Sequence, residues 1–411
     1  QNGRVQLQNW AGNVVFSTGT LLRPTSVEQV QELVASTPRV RALGTGHSFS
    51  AIADTEGALL TVAELAGAIE FGDDTVSFPA GLRYGEITGV LEQHGRALHN
   101  LGSLPHISVA GACATGTHGS GIANKCLAAA AIAVEFVRAD GELVTVDHSD
   151  ESFKGAVVSL GALGIVHKLT LAIEPSYEVR QDVWLDLPLE RLVDDLDTVM
   201  AAGYSVSAFT TWSRRDIVDQ LWIKSRTDRP IADGRRWGAR PADTAQHPIQ
   251  GQDASTATQQ LGVPGPWNAR LPHFRLEFTP SNGDEQQSEF LLPREHGAAA
   301  LMALRALDLQ AALQICEIRT IAADELWLSP CNGRDTIAVH FTWVDDDELI
   351  ADAVTRVEGA LEPFDARPHW GKVFHTDPRP HYPQLAAFGK LIDTYDPQHK
   401  FGNAFLERYV Y

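Results

Sequence analysis

The chain has 411 residues, which is too long for one ordinary hydrophobic core, so two domains or one large discontinuous domain are expected. Hydrophobic residues make up 44% and charged residues 21%, as in soluble globular proteins. The net charge of -19 argues against nucleic acid or an anionic membrane as a partner, because both require a basic surface.

Cysteine usage and the absence of long apolar segments indicate the compartment. The cysteines are scattered and lack zinc-site spacing, so reduced thiols and no metal site are expected. The first four residues show no start of a signal peptide. The longest apolar run, Cys126 to Val134, is far shorter than the roughly 20 residues of a membrane span. A soluble, cytoplasmic protein without a membrane partner is therefore predicted.

The first fifty residues predict a strand, a helix and a second strand. Ser26 followed by Glu28 is typical of a helix start, and apolar residues at helical spacing predict a helix over Val27 to Ala35. A strand over Val40 to Leu43 follows. It leads into a glycine turn, Gly44 to Ser50, with the sequence GTGHSFS.

This turn is a candidate binding loop. The glycines on either side of Thr45 permit positive φ and bring successive N–H groups close to a ligand such as a phosphate. His47 is unusual there, because such loops normally carry only small residues. The alternative for an isolated GxGH sequence is a simple strand-to-loop turn with a surface histidine.

A second glycine-rich stretch covers Ser108 to Gly121. Almost every residue in it is small, so neither a normal helix nor a strand is predicted, and the backbone is expected to wrap closely around a ligand. A flexible linker is the alternative, but linkers rarely include residues such as Val109, Cys113 and His118.

Other elements follow from alternation, apolar spacing and turn residues. Strands are predicted at Leu59 to Val62, Ala68 to Phe71, Thr75 to Pro79, Ala131 to Arg138, Glu142 to Val146, Val166 to Ile173, Val183 to Leu187, Ser205 to Trp212, Gln220 to Lys224, Ala269 to Phe278 and Gln287 to Leu292. Helices are predicted at Tyr84 to His94 and Glu295 to Leu309. The weakly periodic segment Arg226 to Gln259 is expected to be a loop or lid.

Two further strands carry polar side chains on one face. A period of two places Glu317 and Arg319 together, and it places His340 and Thr342 together. An acid, a guanidinium, an imidazole and a hydroxyl could hold and deprotonate a polyol. From the pattern alone, a water-facing side of a half-exposed antiparallel sheet is the simpler interpretation.

Two C-terminal stretches are also informative. Lys372 follows His369, Trp370 and Gly371, so it is either a surface charge beside a buried tryptophan or a cation held at an active centre. Asn403 ends a turn, where its amide could cap a helix or bind a ligand.

Several classes of protein lack their motifs here. The chain has no Walker A sequence, no GxSxG elbow and no HExxH pair. The glycines of residues 116–121 are spaced GxxGxG, the reverse of the dinucleotide fingerprint, so NAD is not predicted.

Three places together resemble the vanillyl-alcohol-oxidase type of FAD flavoproteins. They are the turn 44–48, the stretch 103–121 and the motif 369–372 (HWGK). Within that family the chain is most similar to bacterial alditol oxidases and more distantly to aldonolactone oxidases. The resemblance covers essentially the whole chain, and the combination is more specific than any single motif.

The resemblance implies an α+β fold. A two-subdomain FAD-binding domain of the vanillyl-alcohol-oxidase type would be joined to a substrate domain with a large antiparallel sheet flanked by helices. Residues 1–180 would form the FAD-binding domain and 181–365 the substrate-binding domain, and 366–411 would return to the FAD domain.

The resemblance also implies FAD, bound covalently through His47 to the flavin 8α-methyl. The backbone of 108–121 would hold the pyrophosphate and ribityl chain, and Ile165 and Val166 would contact the adenine or the ring edge. The implied cofactor-binding residues are Arg41, Gly44, Thr45, Gly46, His47, Ser48, Phe49, Gly102, Ser103, Ser108, Val109, Gly111, Cys113, Thr115, Gly116, Thr117, His118, Gly119, Gly164, Ile165, Val166, His369, Lys372 and Asn403.

The family's polyol site carries over to this chain and replaces the water-facing interpretation of the two strands. The substrate-binding residues would be Ser103, Glu317, Arg319, Thr342 and Lys372, and the catalytic residues Glu317, Arg319, His340 and Lys372. Either His340 or Lys372 would accept the hydroxyl proton while a hydride passes to flavin N5. The sequence leaves these two alternatives open.

The implied enzyme is an alditol oxidase that converts a terminal hydroxyl of xylitol, sorbitol or a similar polyol to the aldehyde and reduces O2 to H2O2. Gly102 stands where relatives often carry a slightly larger residue, so easier O2 access is expected. The alternatives are an aldonolactone oxidase or dehydrogenase of the L-gulono-lactone type, and a flavin-storing or sugar-binding protein without turnover. A monomer is expected.

Overall fold

The computed structural model describes residues 6–278 and 284–411. The first four residues, on which the prediction about a signal peptide rests, lie outside this part of the chain. The helices are α1 Val27–Ser36, α2 Tyr84–Gln93, α3 Val109–Ala114, α4 Phe153–Ala156, α5 Leu189–Asp194, α6 Leu196–Met200, α7 Gly297–Arg305, α8 Asp347–Leu361, α9 Leu385–Tyr395 and α10 Ala404–Tyr409.

The strands belong to separate sheets. They are β1 Leu21–Leu22, β2 Val40–Ala42, β3 Ala58–Leu60, β4 Glu70–Phe71, β5 Thr75–Pro79, β6 Arg96–Ala97, β7 Ala131–Val137, β8 Leu143–Asp147, β9 Ile165–Ala172, β10 Glu174–Pro175, β11 Glu178–Pro188, β12 Ser205–Thr210, β13 Ile217–Arg226, β14 Arg240–Pro241, β15 Gly265–Pro266, β16 Glu285–Pro293, β17 Leu313–Ile321, β18 Thr336–Val344 and β19 Arg367–Pro368.

The first part of the chain contains a small parallel sheet and a larger antiparallel one. The parallel sheet has the order β1-β3-β2, and the antiparallel sheet has the order β4-β5-β9-β7-β8. Helix α1 begins at its Ser26 cap and buries Val30 and Val34 against apolar residues of both sheets, including Val40 and Ile165. This packing joins the two sheets into one unit beside the glycine turn.

A nine-stranded antiparallel sheet dominates the middle of the chain. Its order is β14-β11-β13-β12-β17-β18-β16-β19, and β15 pairs with the outer side of β11. Apolar residues at alternate positions, such as Ile337, Val339 and Phe341, join a core that includes residues of α7 and α8. Helices therefore cover one face of the sheet, and the polar residues of the same strands point to the opposite face.

The C-terminal segment returns to the first sheets. Val40 donates a backbone hydrogen bond to the carbonyl of Lys400 at 3.1 Å. The side-chain amide of Asn403 donates to the carbonyl of Ile52 at 3.1 Å, and its oxygen accepts from the amide of Leu406 at the start of α10. The proposed domain boundaries near residues 180 and 365 remain predictions.

Two predictions about local structure are wrong. Residues 108–121 include a helix, α3, because Val109, Ala112 and Cys113 form a buried stripe even though every residue is small. The predicted strand Ala269 to Phe278 is a series of turns with one isolated bridge, between Ala257 and Phe274. Its backbone bonds go to loop residues instead of a sheet edge.

Other predictions hold with shifted ends. The helix predicted over Glu295 to Leu309 is α7, preceded by one 3-10 turn at Arg294–His296. Segment 226–259 is mostly loop but contributes β14 to the sheet. The predicted α+β class, with a large antiparallel sheet flanked by helices, is confirmed. Across the described ranges, no helix combines the length and apolar character needed to cross a bilayer.

Candidate active site

A cleft with a cavity volume of about 350 Å³ lies between the glycine-rich segments and the polar face of the large sheet. Many residues of the segments 41–53 and 102–118 border it, and so do side chains from β16, β17 and β18. The segment 369–372 contributes His369, Gly371 and Lys372. The three motifs found in the sequence thus border one cavity.

The glycine turn contacts the other two motifs, the stretch that includes Ser108 and the segment 369–372. Gly46 has φ of +71°, a conformation that favours glycine. A Cβ on Gly44 would lie 2.5 Å from Ser108 Oγ, so any larger residue there would force the Ser108 side chain to move. The amide of Phe49 donates to the carbonyl of Gly371 at 2.7 Å.

His47 lies in this turn and is largely buried. Its ring stacks on Trp10 with centroids 5.1 Å apart and an angle of 19° between the planes. Its Nδ1 is buried and has no hydrogen-bond partner among the described residues. Burial lowers the pKa of His47 to about 4, so the imidazole is neutral near pH 7. A neutral imidazole is the form that can act as a nucleophile.

Most of the predicted cofactor residues border the cleft, but some face elsewhere. Those away from it are Val109, Cys113, Gly116, Gly119, Ile165 and Asn403. Val109, Cys113 and Ile165 are core residues, and Asn403 binds backbone groups of other segments. Gly119 packs so closely that a Cβ would lie 2.2 Å from the carbonyl oxygen of Leu101. These six residues lie outside the lining of the cleft, and direct contact between them and the cofactor remains a prediction.

Three of the predicted site residues form rows across the sheet with two residues of β16. Glu289 on β16 pairs with His340 on β18, which pairs with Glu317 on β17. In the adjacent row Gln287 pairs with Thr342. Directly paired residues point to the same face, and all of these border the cleft. Because Glu317 is only 3% exposed, the water-facing interpretation is wrong.

Glu289 is a buried carboxylate at the centre of this polar face. Its Oε2 accepts from Lys372 Nζ at 2.7 Å, and its Oε1 accepts from Arg319 Nη2 at 2.5 Å. His118 Nε2 lies 3.1 Å from Oε1, without the geometry of a hydrogen bond. Burial would raise the pKa of Glu289, but Arg319 and Lys372 outweigh it and hold the pKa well below its usual range.

Glu317 is the second buried carboxylate. Its Oε1 accepts a hydrogen bond from His273 Nε2 at 2.7 Å and lies 3.6 Å from Arg319 Nε. Burial opposes ionisation, but Arg319 and His273 outweigh it and lower the pKa of Glu317. Glu317 is therefore an ionised acceptor, whereas Arg319 Nε has no hydrogen-bond partner within the described ranges.

His340 lies between the two carboxylates. Gln287 donates its amide to Glu285 at 2.9 Å and presents its oxygen to His340 Nε2 at 3.1 Å. This assignment places the imidazole proton on Nε2 and leaves a lone pair on Nδ1. Burial and the neighbouring Lys372 lower the pKa of His340 to about 3, so the ring is neutral.

Sequence reasoning missed several residues of this site. Gln287 and Glu289 lie in a predicted strand, and the period of two could have placed them on one face. His273 lies in the wrongly predicted strand, and no local pattern marks it. Lys224 ends a correctly predicted strand, but only the fold brings it to His273, at 3.1 Å.

The residues of the cleft fit the FAD that the resemblance implies. The glycine positions leave backbone groups accessible along the cleft, and the buried His47 Nδ1 has no partner among the described residues. Across those residues, no group of three or more His, Cys, Asp or Glu side chains is arranged to hold a metal ion.

Comparison with known proteins agrees with this site. The family "FAD binding domain" matches residues 19–147, and the family "D-arabinono-1,4-lactone oxidase" matches residues 284–409. Alditol oxidase from Streptomyces sp. (strain IKD472 / FERM P-14339) is 50% identical over 408 residues, which cover 97% of each chain. The chain belongs to the alditol oxidase family. It is an FAD-dependent oxidoreductase of the vanillyl-alcohol-oxidase type.

Other similar proteins match this chain over nearly its whole length, one in sequence and one in structure. L-gulono-1,4-lactone dehydrogenase from Mycobacterium tuberculosis (strain ATCC 25618 / H37Rv) is 29% identical, with 97% of this chain and 98% of that one covered. Cholesterol oxidase from B. sterolicum is similar in structure, with a TM-score of 0.79, 15% identity, and coverage of 99% of this chain and 96% of that one. The latter similarity concerns the fold alone.

Proposed function

We propose that this chain oxidises the terminal primary hydroxyl of a small polyol, of the xylitol or sorbitol type, to the aldehyde and reduces O2 to H2O2. The observation that carries the proposal is the row Glu289, His340 and Glu317, which stands with Arg319 and Lys372 in the cleft bordered by the glycine turn. The 50% identity to alditol oxidase supports the same substrate class.

Charged hydrogen-bonding groups suit a substrate that carries hydroxyls along its length. The ionised Glu317 accepts hydrogen bonds from substrate hydroxyls, and the guanidinium of Arg319, which borders the cleft, donates to them. Ser103 and Thr342 border the same cleft and each offer a hydroxyl that can donate or accept. These groups orient the polyol and position its terminal carbon.

His340 is the proposed base. Its neutral ring carries a free lone pair on Nδ1, which can accept the proton of the reacting hydroxyl. Lys372 is less suited to this role because its Nζ donates to the ionised Glu289. Burial lowers the pKa of Lys372, and Glu289 opposes that effect. We therefore assign Lys372 a fixed positive charge beside the reacting groups.

FAD, when bound, supplies the acceptor for the hydride and passes the electrons to O2. The glycine turn, with the segments around Ser108 and Thr117, would hold it through backbone N–H groups and hydroxyls. His47 would hold it covalently through its free imidazole nitrogen.

Anaerobic mixing of the purified yellow protein with xylitol or sorbitol tests the function. We expect flavin absorbance to bleach, and to recover with equimolar H2O2 release when air is admitted. The same measurement with L-gulono-1,4-lactone covers the second candidate, which the match of residues 284–409 to the lactone oxidase family favours. Bleaching by the lactone but not by either polyol would overturn the polyol assignment.

The first structural prediction concerns His47. His47→Ala is expected to leave FAD non-covalently bound, so acid precipitation should release the yellow colour into the supernatant. The wild type should retain it in the pellet. Trp10→Leu serves as a control, because it removes the stacking ring and leaves the imidazole in place. Release of colour from the wild type would contradict a histidyl bond.

A second prediction concerns Gly102 and O2. A Cβ added there would meet only His118 O at 3.7 Å and Leu127 Cδ1 at 3.8 Å, which are ordinary contacts. Gly102→Ala should therefore fold and slow reoxidation of the reduced enzyme in stopped-flow traces, with flavin reduction by xylitol less affected. Gly89→Ala, where no atom lies within 4 Å, is the control. An unchanged reoxidation rate would contradict the role of Gly102.

We also propose a monomer located in the cytoplasm. The four cysteines are free and buried, as expected of thiols that remain reduced. The net charge of -19 favours repulsion between copies. Light scattering across a range of protein concentrations tests the monomer, and a mass of twice the chain would contradict it.

A further inference from the structure

Lys224 is a buried cation that the proposed chemistry does not use. It lies near the C-terminal end of β13, and its side chain is buried, with the residue 1% exposed. Within the described residues it takes part in no ion pair. Its Nζ donates to the carbonyl of Leu271 at 2.5 Å and to that of Pro272 at 3.0 Å. A buried ammonium is costly unless its donors are satisfied, so this arrangement requires a specific reason.

The third donor of Lys224 reaches His273. Nζ lies 3.1 Å from His273 Nδ1. Burial lowers the pKa of Lys224 to about 7, but Nζ has three acceptors around it, and only an ammonium group has three N–H groups to donate. His273 Nδ1 is therefore the acceptor, which places the ring proton on Nε2. His273 Nε2 in turn donates to Glu317 Oε1 at 2.7 Å. The lysine thus selects the tautomer that the carboxylate needs.

The same short segment also holds Ser103. The amides of His273 and Phe274 donate to the carbonyl of Ser103 at 3.1 Å and 3.3 Å. Thr258 Oγ1 donates to the carbonyl of Pro272 at 2.6 Å. Residues 271–274 therefore contact both Ser103 and Glu317, two of the proposed substrate-binding residues. Lys224 holds this segment in place through its hydrogen bonds to it.

We propose that Lys224 and His273 are positioning residues that fix Glu317 and Ser103 for substrate binding. With Oε1 of Glu317 occupied by His273, Oε2 is left for a substrate hydroxyl, 3.8 Å from His340 Nδ1. Loss of the lysine frees the His273 tautomer and removes three hydrogen bonds to the segment. The proposal rests on the polyol function proposed above.

Rapid anaerobic mixing separates binding from chemistry in the holoenzyme. Lys224→Met is expected to raise the apparent Kd for xylitol about tenfold, because one charge-assisted hydrogen bond to Glu317 loses its orientation. The rate constant of flavin reduction at saturation should change less than threefold, as expected for binding shared by ground and transition states. Lys168→Met, at an exposed ion pair, should match the wild type.

If Lys224→Met does not fold, two variants of His273 test the same proposal. His273→Gln retains a donor toward Glu317 and should bind xylitol more tightly than His273→Leu, which retains none. Nitrogen NMR of histidine-labelled wild type should show His273 protonated on Nε2, with this signal absent from His273→Gln.

Each outcome bears on one proposal. If xylitol and sorbitol fail to reduce the wild type, the polyol function fails. If the wild type is reduced, but the two His273 variants bind xylitol equally, or the folded Lys224→Met binds it as the wild type does, the positioning role is overturned. Protonation of His273 on Nδ1 would overturn it as well.

Discussion

His340→Asn is expected to lower kcat with xylitol by about two to four orders of magnitude, the range that general-base catalysis contributes. The expectation follows from the free lone pair on Nδ1 and from the pKa of about 3, which keeps the ring neutral. Asparagine preserves polarity and approximate size but cannot accept the proton at this position. Stopped-flow flavin reduction under anaerobic conditions measures the loss directly.

The pH dependence distinguishes His340 from Lys372 as the base. If His340 is the base, it is already unprotonated above about pH 4, so flavin reduction should show no limb from this group between pH 5 and pH 7. A lysine base would instead give a rate that rises with pH as the ammonium loses its proton. Lys372→Arg, which keeps the charge, should then retain far more activity than His340→Asn. The opposite ranking would contradict the assignment of the base.

Glu289→Gln is expected to have the largest effect on stability. The substitution removes the negative charge that Arg319 and Lys372 share. It leaves Lys372 without its partner and the buried Arg319 with only Glu317, at 3.6 Å. Breaking a buried ion pair from one side costs about 3–5 kcal/mol. Denaturant unfolding, followed by intrinsic fluorescence, measures this change in the free energy of unfolding.

The same Glu289 variant should change the pH profile. Glu289 raises the pKa of Lys372 against the effect of burial, so its loss lowers that pKa further. Lys372 then loses its positive charge at a lower pH, and a new limb should appear in the profile of flavin reduction. Glu70→Gln, at an exposed ion pair, is the control and should change neither quantity. Unchanged stability and an unchanged profile would contradict the central role of Glu289.

Short-range sequence patterns were sufficient to identify the three motifs. The GTGHSFS turn, the small-residue stretch before Gly121 and the HWGK motif were each visible in the sequence, because glycine and small side chains constrain the backbone locally. Alternation correctly placed Glu317 with Arg319 and His340 with Thr342 on shared faces, because strand geometry alone fixes that relation.

Local patterns failed where contacts between distant segments decided the structure. The run Ala269 to Phe278 alternates like a strand, but its backbone groups bond to Ser103 and to residues near Thr258. Whether a polar sheet face is buried or exposed is also a tertiary property. For this reason alternation could not distinguish water from a cleft as the surroundings of Glu317.

The sequence by itself determined the family and the glycine-rich motifs, and it predicted part of the polar cleft, because these depend on side-chain type and short-range spacing. Only the tertiary structure decided that Glu289 neutralises Arg319 and Lys372, and that Lys224 reaches Glu317 through His273. Those contacts join residues far apart in the chain. Their protonation states depend on burial and on neighbouring charges, which exist only once the strands have assembled.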